Sequence, residues 1–181
     1  PLRGQNNVQG ANDSGASPVF YPGYQRVVDA EARAHFEAGW GVPLSPDNGL
    51  NLNEMMEAIK HPDTGRLKGI FVMGEDILLS EPDVKPLERG MPHLECVIVQ
   101  DIFLNETAKV ADVVFPATCF AEKEGTFTNS ERRVQRVRKA VDPPGQARAD
   151  WRILLDLYER CEGPGPRLAD PAAIYDELAS L

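Results

Sequence analysis

A cluster of charged residues follows a short apolar segment in the C-terminal half of the chain. Residues 112–115 have the pattern of a short buried strand, and Pro116 ends it. Acidic and basic side chains follow in a polar loop, at Glu122, Lys123 and Glu124. Charged groups at the carboxyl end of a buried strand suit a ligand crevice in an open α/β sheet, where Lys123 could pair with a diphosphate. The pattern alone is equally compatible with a solvated loop beside an edge hairpin.

Two other predicted strands also end in polar residues. The first is followed by Gly74, Glu75 and Asp76, and the second by Gln100 and Asp101. Glycine lets a ligand approach the backbone, and carboxylates accept hydrogen bonds from ribose hydroxyls or from the donor edge of guanine. The alternative is that Glu75 and Asp101 cap the helices that follow them, since aspartate is a good cap. Residue type and position leave both roles open.

The order of elements predicts the sheet that would bring these strand ends together. Apolar runs at 68–73, 94–99 and 112–115 alternate with short helical segments, which indicates a parallel sheet with crossover connections. The continuous apolar run at 94–99 is typical of a strand covered on both faces and places Cys96 in the core. We therefore predict an α/β fold: an open, mostly parallel sheet with flanking helices, a small β hairpin near 126–138 and two C-terminal helices.

The domain prediction separates a polar N-terminal segment from the rest. Residues 1–23 are rich in Gly, Asn, Gln and Pro and read as an extended loop segment, whose amide side chains could satisfy the hydrogen bonds of a polar ligand. Residues 24–181 are predicted to form a single α/β domain. The chain has no glycine loop of the Walker type and no G-x-G-x-x-G motif, so a nucleotide here would not be held as in the usual NAD or ATP folds.

Charge and cysteine content exclude several classes of function. The 181 residues include 19 basic and 28 acidic side chains, a formal charge of −9, which argues against nucleic acid and against contact with an anionic membrane. No apolar run approaches the roughly 20 residues that span a bilayer. The three cysteines are widely spaced with no C-x-x-C pair, so no metal site is expected within this chain. Their odd number fits reduced thiols and a cytoplasmic protein.

Four motifs, in their order along the chain, resemble the molybdopterin-dependent oxidoreductase family. The N-terminal segment reads PLRGQNNVQGANDSGASPVFYPG, the two strand ends read VMGED and VIVQDIF, and the later region reads ADVVFP, EKEGTFTN and ERRVQ. The likeness covers nearly the whole chain and is greatest to the catalytic α subunits of formate dehydrogenases. Each motif is weak alone, and their shared order makes the resemblance specific.

The resemblance implies that residues 1–23 are an active-site and cofactor loop segment, and it implies a role for each candidate residue. Arg3 would lie beside a molybdenum or tungsten centre and orient the formate carboxylate through a bidentate pair, and Gln5 would lie near the pterin. Taken alone, an arginine at position 3 is most often a mobile surface residue. Asp150 would lie near a guanine, although it could also cap the helix that begins beside it. The implied cofactor is bis-molybdopterin guanine dinucleotide with Mo or W, cradled by Gly74, Glu75, Asp76, Gln100, Asp101, Lys123 and Asp150.

The resemblance also implies what lies outside this sequence. The family's metal-ligand residue, the cysteines of its iron–sulfur cluster and its C-terminal cap domain have no counterpart here, so we expect an internal fragment that is inactive alone. Its partners would be the remaining domains of the catalytic subunit, formate, and electron-transfer subunits.

Two alternatives belong to other classes. One is a pterin-free electron-transfer scaffold, as in the large subunit of respiratory NADH dehydrogenase, although the RGQNNVQG opening favours formate dehydrogenase because a scaffold needs no substrate clamp. The other is a free-standing guanine-nucleotide-binding module, which predicts measurable GDP affinity.

Overall fold

The computed structural model describes residues 4–163, 165 and 168–181. The α-helices of the described residues are α1 Val8–Asp13, α2 Ala30–Trp40, α3 Leu52–Lys60, α4 Ile77–Ser80, α5 Val84–Gly90, α6 Glu106–Lys109, α7 Asp150–Glu162 and α8 Pro171–Ser180. The strands are β1 Phe20–Tyr21, β2 Gln25–Arg26, β3 Gly69–Met73, β4 Cys96–Asp101, β5 Val113–Pro116, β6 Gly125–Thr128 and β7 Val134–Val137. No helix among the described residues is long and apolar enough to cross a membrane.

Contacts group the chain into two compact units. The described residues of the first unit are 4–51, 124–138 and 168–181, and those of the second are 52–123, 139–163 and 165. The second unit contains the parallel sheet, and the first contains both antiparallel pairs. The predicted division of the chain after residue 23 stays a prediction.

The second unit is built on a parallel sheet with β4 in the centre, between β3 and β5. Helices α4 and α5 connect β3 to β4, and α6 connects β4 to β5, because parallel neighbours need a crossover rather than a hairpin. The predicted strands agree with the observed ones to within one or two residues. The α/β fold with a parallel sheet and flanking helices is confirmed.

One face of this sheet carries the main core. Helices α3 and α5 pack closely, and Gly90 at the end of α5 approaches the backbone carbonyl of Ile59 so closely that a Cβ atom there would collide with it. Alternating strand residues point to this side, as the two-residue period of a strand requires. The cluster consists of Met56, Ile59, Val72, Ile77, Leu87, Met91, Val97, Val99 and Ala108.

The opposite face of the sheet is partly open. Phe71 and Val113 flank Ile98 in register on this face, and each is 40% exposed, while Met73 is 52% exposed. The expectation of cover on both faces was made for the central strand, and there it holds in part, since Ile98 is half-buried and Gln100 is fully buried on this face. The neighbouring strands are less covered. Cys96 is exposed rather than buried, because it begins β4 at the uncovered end.

The first unit combines short strands with two longer helices. Tyr21, Val27 and Phe36 form its core cluster, against which Leu181 packs. Helix α2 begins where Asp29 Oδ1 accepts hydrogen bonds from the N–H groups of Glu31 (2.9 Å) and Ala32 (3.2 Å), as a good N-cap does. Strands β6 and β7 form the predicted hairpin.

The N-terminal segment differs from its predicted extended conformation. Val8–Asp13 form helix α1, six residues long, inside the region predicted as loop. Asn7 stands at its N-cap, but the Asn7 side chain does not cap the first turn, and Gly10 in the middle is a poor helix former. Six residues with a central glycine carry no helical period of apolar residues, so the sequence did not predict this helix.

Candidate functional site

The carboxyl ends of the three parallel strands meet at one edge of the second unit. Gln100 is in register with Met73 of β3 and with Phe115 of β5. Backbone hydrogen bonds continue to link neighbouring segments just beyond the paired strands. Gly74 N donates to Gln100 O and Ala117 N donates to Asp101 O, both at 2.9 Å. The two predicted strand-end motifs therefore lie side by side, at the edge where ligands bind in open α/β sheets.

Three predicted residues come together at this edge through their side chains. Gln100 is fully buried, and its Nε2 donates to Asp150 Oδ1 at 2.8 Å. Lys123 Nζ donates to Asp150 Oδ2. Because Asp150 is the first residue of α7, its carboxylate also lies at the positive end of the helix dipole. A strand, a loop and a helix thus contribute one residue each to a partly buried ion pair with an amide beside it.

Two buried polar atoms in this unit lack a hydrogen-bond partner among the described atoms. One is Gln100 Oε1, the oxygen of the amide that binds Asp150, and the other is Thr118 Oγ1, on the segment that follows β5. Burying a polar group without a partner costs about 1–3 kcal/mol, so such atoms are uncommon in a finished fold. A ligand that donates hydrogen bonds would remove this cost. Thr118 was not predicted, since a single threonine after a strand carries no sequence signal.

The first strand end is open around its glycine. Gly74 has φ +67°, a left-handed conformation that disfavours other residues, and a Cβ atom there would meet nothing within 4 Å. The adjacent Glu75 accepts a hydrogen bond from Ser80 Oγ at 2.7 Å, which ties it to α4. The backbone at Gly74 is therefore accessible to a ligand.

Asp76 uses its carboxylate within the fold. Oδ1 accepts hydrogen bonds from the Thr107 hydroxyl (2.6 Å) and N–H (3.1 Å), and Oδ2 accepts one from Glu106 N–H (3.2 Å). Thr107 Oγ1 accepts in return from Leu78 N–H at 3.1 Å. Asp76, the residue before α4, thus caps the first turn of α6, and Thr107 of α6 accepts from the first turn of α4. Burial alone would raise the pKa of Asp76, but the hydrogen bonds from Thr107 and Glu106 outweigh it and hold the pKa below its ordinary value.

Asp101 has a similar local role. Its Oδ1 accepts from Phe103 N–H at 3.0 Å, and its Oδ2 accepts from Asn105 Nδ2 at 3.1 Å. Asn105 in turn caps α6, where its Oδ1 accepts from Ala108 N–H at 2.8 Å. The side chain of Asp101 therefore holds the loop that leads into α6. Each carboxylate oxygen has a second lone pair, so a ligand could still bind it.

The structure does not bring the two N-terminal candidates into this cluster within the described residues. Gln5 belongs to the first unit and is exposed. Arg3 lies outside the described residues. Within the described part of the chain, no group of three or more His, Cys, Asp or Glu side chains is placed to hold a metal ion.

Comparisons with known proteins agree on one family. The profile of the molybdopterin oxidoreductase family matches residues 3–160. The F420-dependent formate dehydrogenase subunit alpha of Methanocaldococcus jannaschii is 53% identical over 161 residues, which are 88% of this chain and 23% of that protein. Formate dehydrogenase H of Escherichia coli is 41% identical over 182 residues, which cover all of this chain and 25% of that protein.

A solved structure supports the fold. Acetylene hydratase from Pelobacter acetylenicus superposes with a TM-score of 0.61 over 82% of this chain and 22% of its own, at 16% sequence identity. At that identity the likeness concerns the fold alone. The chain spans about a quarter of the two formate dehydrogenases it matches. From the match over most of its length, the chain belongs to the molybdopterin oxidoreductase family.

Proposed function

We propose that this chain forms part of the cofactor cradle in the catalytic subunit of a formate dehydrogenase, which oxidises formate to carbon dioxide and passes on two electrons. The support from sequence is that several relatives carry the name formate dehydrogenase and match this chain over nearly all its length. The observation that carries the proposal is Gln100, which is buried at the ligand edge of a parallel sheet, with one oxygen unpaired and Asp150 beside it.

Family membership implies a molybdopterin cofactor, and the residues at this edge fit its guanine dinucleotide form. Guanine presents N–H donors along one edge, and the unpaired Gln100 Oε1 and the carboxylate of Asp150 are acceptors. The open backbone at Gly74 would let a ribose or phosphate approach. Lys123, which pairs with Asp150, supplies a positive charge at the same edge. When bound, the cofactor supplies the molybdenum or tungsten centre at which formate is oxidised.

The remaining assignments in this proposal come from the resemblance. Arg3 binds the formate carboxylate, and Gln5 contacts the pterin. Glu75, Asp76 and Asp101 shape the loops of the cradle, since the fold already uses their oxygens. The metal ligand and an iron–sulfur cluster belong to other parts of the parent subunit, which works with electron-transfer subunits. The parent enzyme is cytoplasmic.

The test compares two aspartates of helix α7 in the full-length protein that contains this chain. Asp150→Ala removes the carboxylate beside Gln100, and we expect retention of metal and guanine nucleotide to weaken about tenfold or more, the scale of a lost hydrogen bond to a charged group. Asp156→Ala is the matched control, because Asp156 lies on the same helix and pairs with Arg148. Metal analysis by mass spectrometry and guanine release after acid treatment measure both variants.

Three results would contradict this proposal. Equal cofactor content in both aspartate variants would remove Asp150 from the cradle. A full-length protein without molybdenum or tungsten, but with its iron–sulfur clusters intact, would favour the pterin-free scaffold of the NADH dehydrogenase type. Measurable GDP affinity of this chain alone would favour a free-standing nucleotide-binding module.

A further inference from the structure

Asp150 determines which end of the Gln100 amide is left free. A half-turn of a glutamine amide exchanges the places of its oxygen, an acceptor, and its nitrogen, a donor. In this structure Gln100 Nε2 donates to Asp150 Oδ1 at 2.8 Å. In the opposite orientation two oxygens would meet with no hydrogen between them, because a carboxylate paired with a lysine only accepts. The contact therefore fixes the nitrogen toward Asp150 and leaves Oε1 as the free end.

The burial of Gln100 makes this orientation important for binding. Gln100 is fully buried, so no solvent compensates for an amide that faces the wrong way. No described atom of the chain donates to its Oε1, and the Thr118 hydroxyl, which is also buried and unpaired, does not reach it. The free end of Gln100 is thus an acceptor that only a group from outside the described residues could satisfy.

Lys123 holds Asp150 from the other side. Its Nζ donates to Oδ2 while Gln100 binds Oδ1, so both carboxylate oxygens are engaged and the carboxylate is held in one position. The side chains of Lys123 and Asp150 are 28% and 24% exposed, so the edge beside Gln100 is accessible to a ligand. A loop after β5 and the first turn of α7 therefore set the orientation of a side chain on β4.

We propose that Asp150 is a positioning residue that orients the Gln100 amide and so commits this edge to a base that carries hydrogen-bond donors. The inference rests on the proposed cofactor function and adds a specificity-determining contact to it. The acceptor end of Gln100 fits the amino group of guanine, and it disfavours a base with an oxygen at the same place, because two acceptors would then meet.

The substitution Asp150→Asn should reverse this preference. It replaces one carboxylate oxygen by an amide nitrogen, which can donate to Gln100 Oε1. The Gln100 amide would then turn, and its nitrogen would become the free end. The same edge would favour a base that presents an acceptor.

The test uses the full-length protein without its cofactor and two probes, GDP and xanthosine diphosphate. The probes differ at one position of the base, where a carbonyl oxygen replaces the amino group of guanine. We expect the wild type to bind GDP about tenfold more tightly or better, the scale of leaving one buried acceptor without its donor. In Asp150→Asn the preference for GDP should fall by about tenfold or more, measured by calorimetry. Asp156→Asn is the matched control on the same helix and should leave the preference unchanged, since Asp156 pairs with Arg148.

A double substitution separates an effect through Gln100 from a direct effect of Asp150. Gln100→Met has a similar volume and no amide to turn. Adding Asp150→Asn to it should therefore change the preference by less than about twofold, because the two residues are coupled. Gln100→Leu takes its place if the methionine variant does not fold.

The results that overturn the inference differ from those that overturn the proposed function. The inference fails if the wild type does not prefer GDP, if Asp150→Asn leaves the preference unchanged, or if the change is the same with and without the Gln100 amide. Loss of cofactor in Asp150→Ala would still support the cradle in each case. Equal cofactor content in Asp150→Ala and Asp156→Ala would remove Asp150 from the cradle and the inference with it.

Discussion

Asp76 has the residue type and the position at a strand end that are expected of a ligand-binding group, yet its carboxylate is already hydrogen-bonded within the fold. Its two oxygens receive three hydrogen bonds from the first residues of α6, which belongs to the next crossover. The contact couples the loop after β3 to the loop after β4. It therefore sets the spacing of the two strand ends that form the proposed cradle, whether or not Asp76 contacts a ligand.

Replacing Asp76 by Ala should lower the free energy of unfolding by about 1–3 kcal/mol, since it leaves donors of Thr107 and Glu106 unpaired. The folded-state pKa of Asp76 lies below the ordinary value of 3.8, so this contribution is complete above that value. It is lost as the pH falls through the lowered pKa. Urea unfolding from pH 7 down to pH 3 should show the difference between wild type and Asp76→Ala shrinking below about pH 4.

The control for this experiment is Asp63→Ala. Asp63 is exposed in the same unit, and such surface changes usually stay within about 0.5 kcal/mol. A difference for Asp76→Ala that grows toward low pH would contradict the sign of the pKa change.

Residue types at the predicted strand ends made Gly74, Glu75, Asp76, Gln100, Asp101 and Lys123 candidates, and the family resemblance added Asp150 and the cradle role of all seven. Neither predicted which contacts these residues make. Gln100, Lys123 and Asp150 are far apart in sequence, and their contact depends on α7 packing beside β4. The hydrogen bonds that Thr107 donates to Asp76 depend likewise on the register of β3 and β4. No local pattern encodes either, because both arise from tertiary packing.

The elements themselves were more predictable, since apolar periodicity and caps are local. The parallel strands and the two C-terminal helices, α7 and α8, agree with the sequence prediction, whereas α1 does not. Helix α1 forms because Asn7 and Asp13 attach it to the hairpin, not because its six residues favour a helix. Short elements of this kind depend on their surroundings rather than on propensity.

At the level of packed elements, Gly90 is a position where the backbone of α5 lies close against that of α3. Gly90→Ala should destabilise the protein by about 1–3 kcal/mol, because the new Cβ would collide with the Ile59 carbonyl and force the helices apart. Gly125→Ala is the control, since nothing lies within 4 Å of its added Cβ and its φ is not positive. Urea unfolding of both variants measures the difference, and equal stability would show that the α3–α5 contact can relax freely.

At the scale of the whole chain, the open face of the parallel sheet has a consequence for its behaviour in solution. Phe71, Met73 and Val113 leave apolar surface exposed on a sheet of a type normally covered on both faces. In the full-length protein, segments outside this sequence could cover that face, since the relatives are about four times as long. The isolated 181-residue chain can cover this face only by contact with a second copy of itself.

We therefore expect the isolated chain to self-associate as its concentration rises, despite the repulsion expected from a formal charge of −9. Met73→Lys places a charge on the open face and should shift the chain toward its monomer mass of 19.9 kDa. Asn48→Lys adds the same charge in an exposed loop of the first unit, so it controls for the change in net charge. Size-exclusion chromatography with light scattering reports the mass. If the unmodified chain stays monomeric at every concentration, the open face does not drive association. If both lysine variants dissociate the chain equally, its net charge and not the open face sets the association.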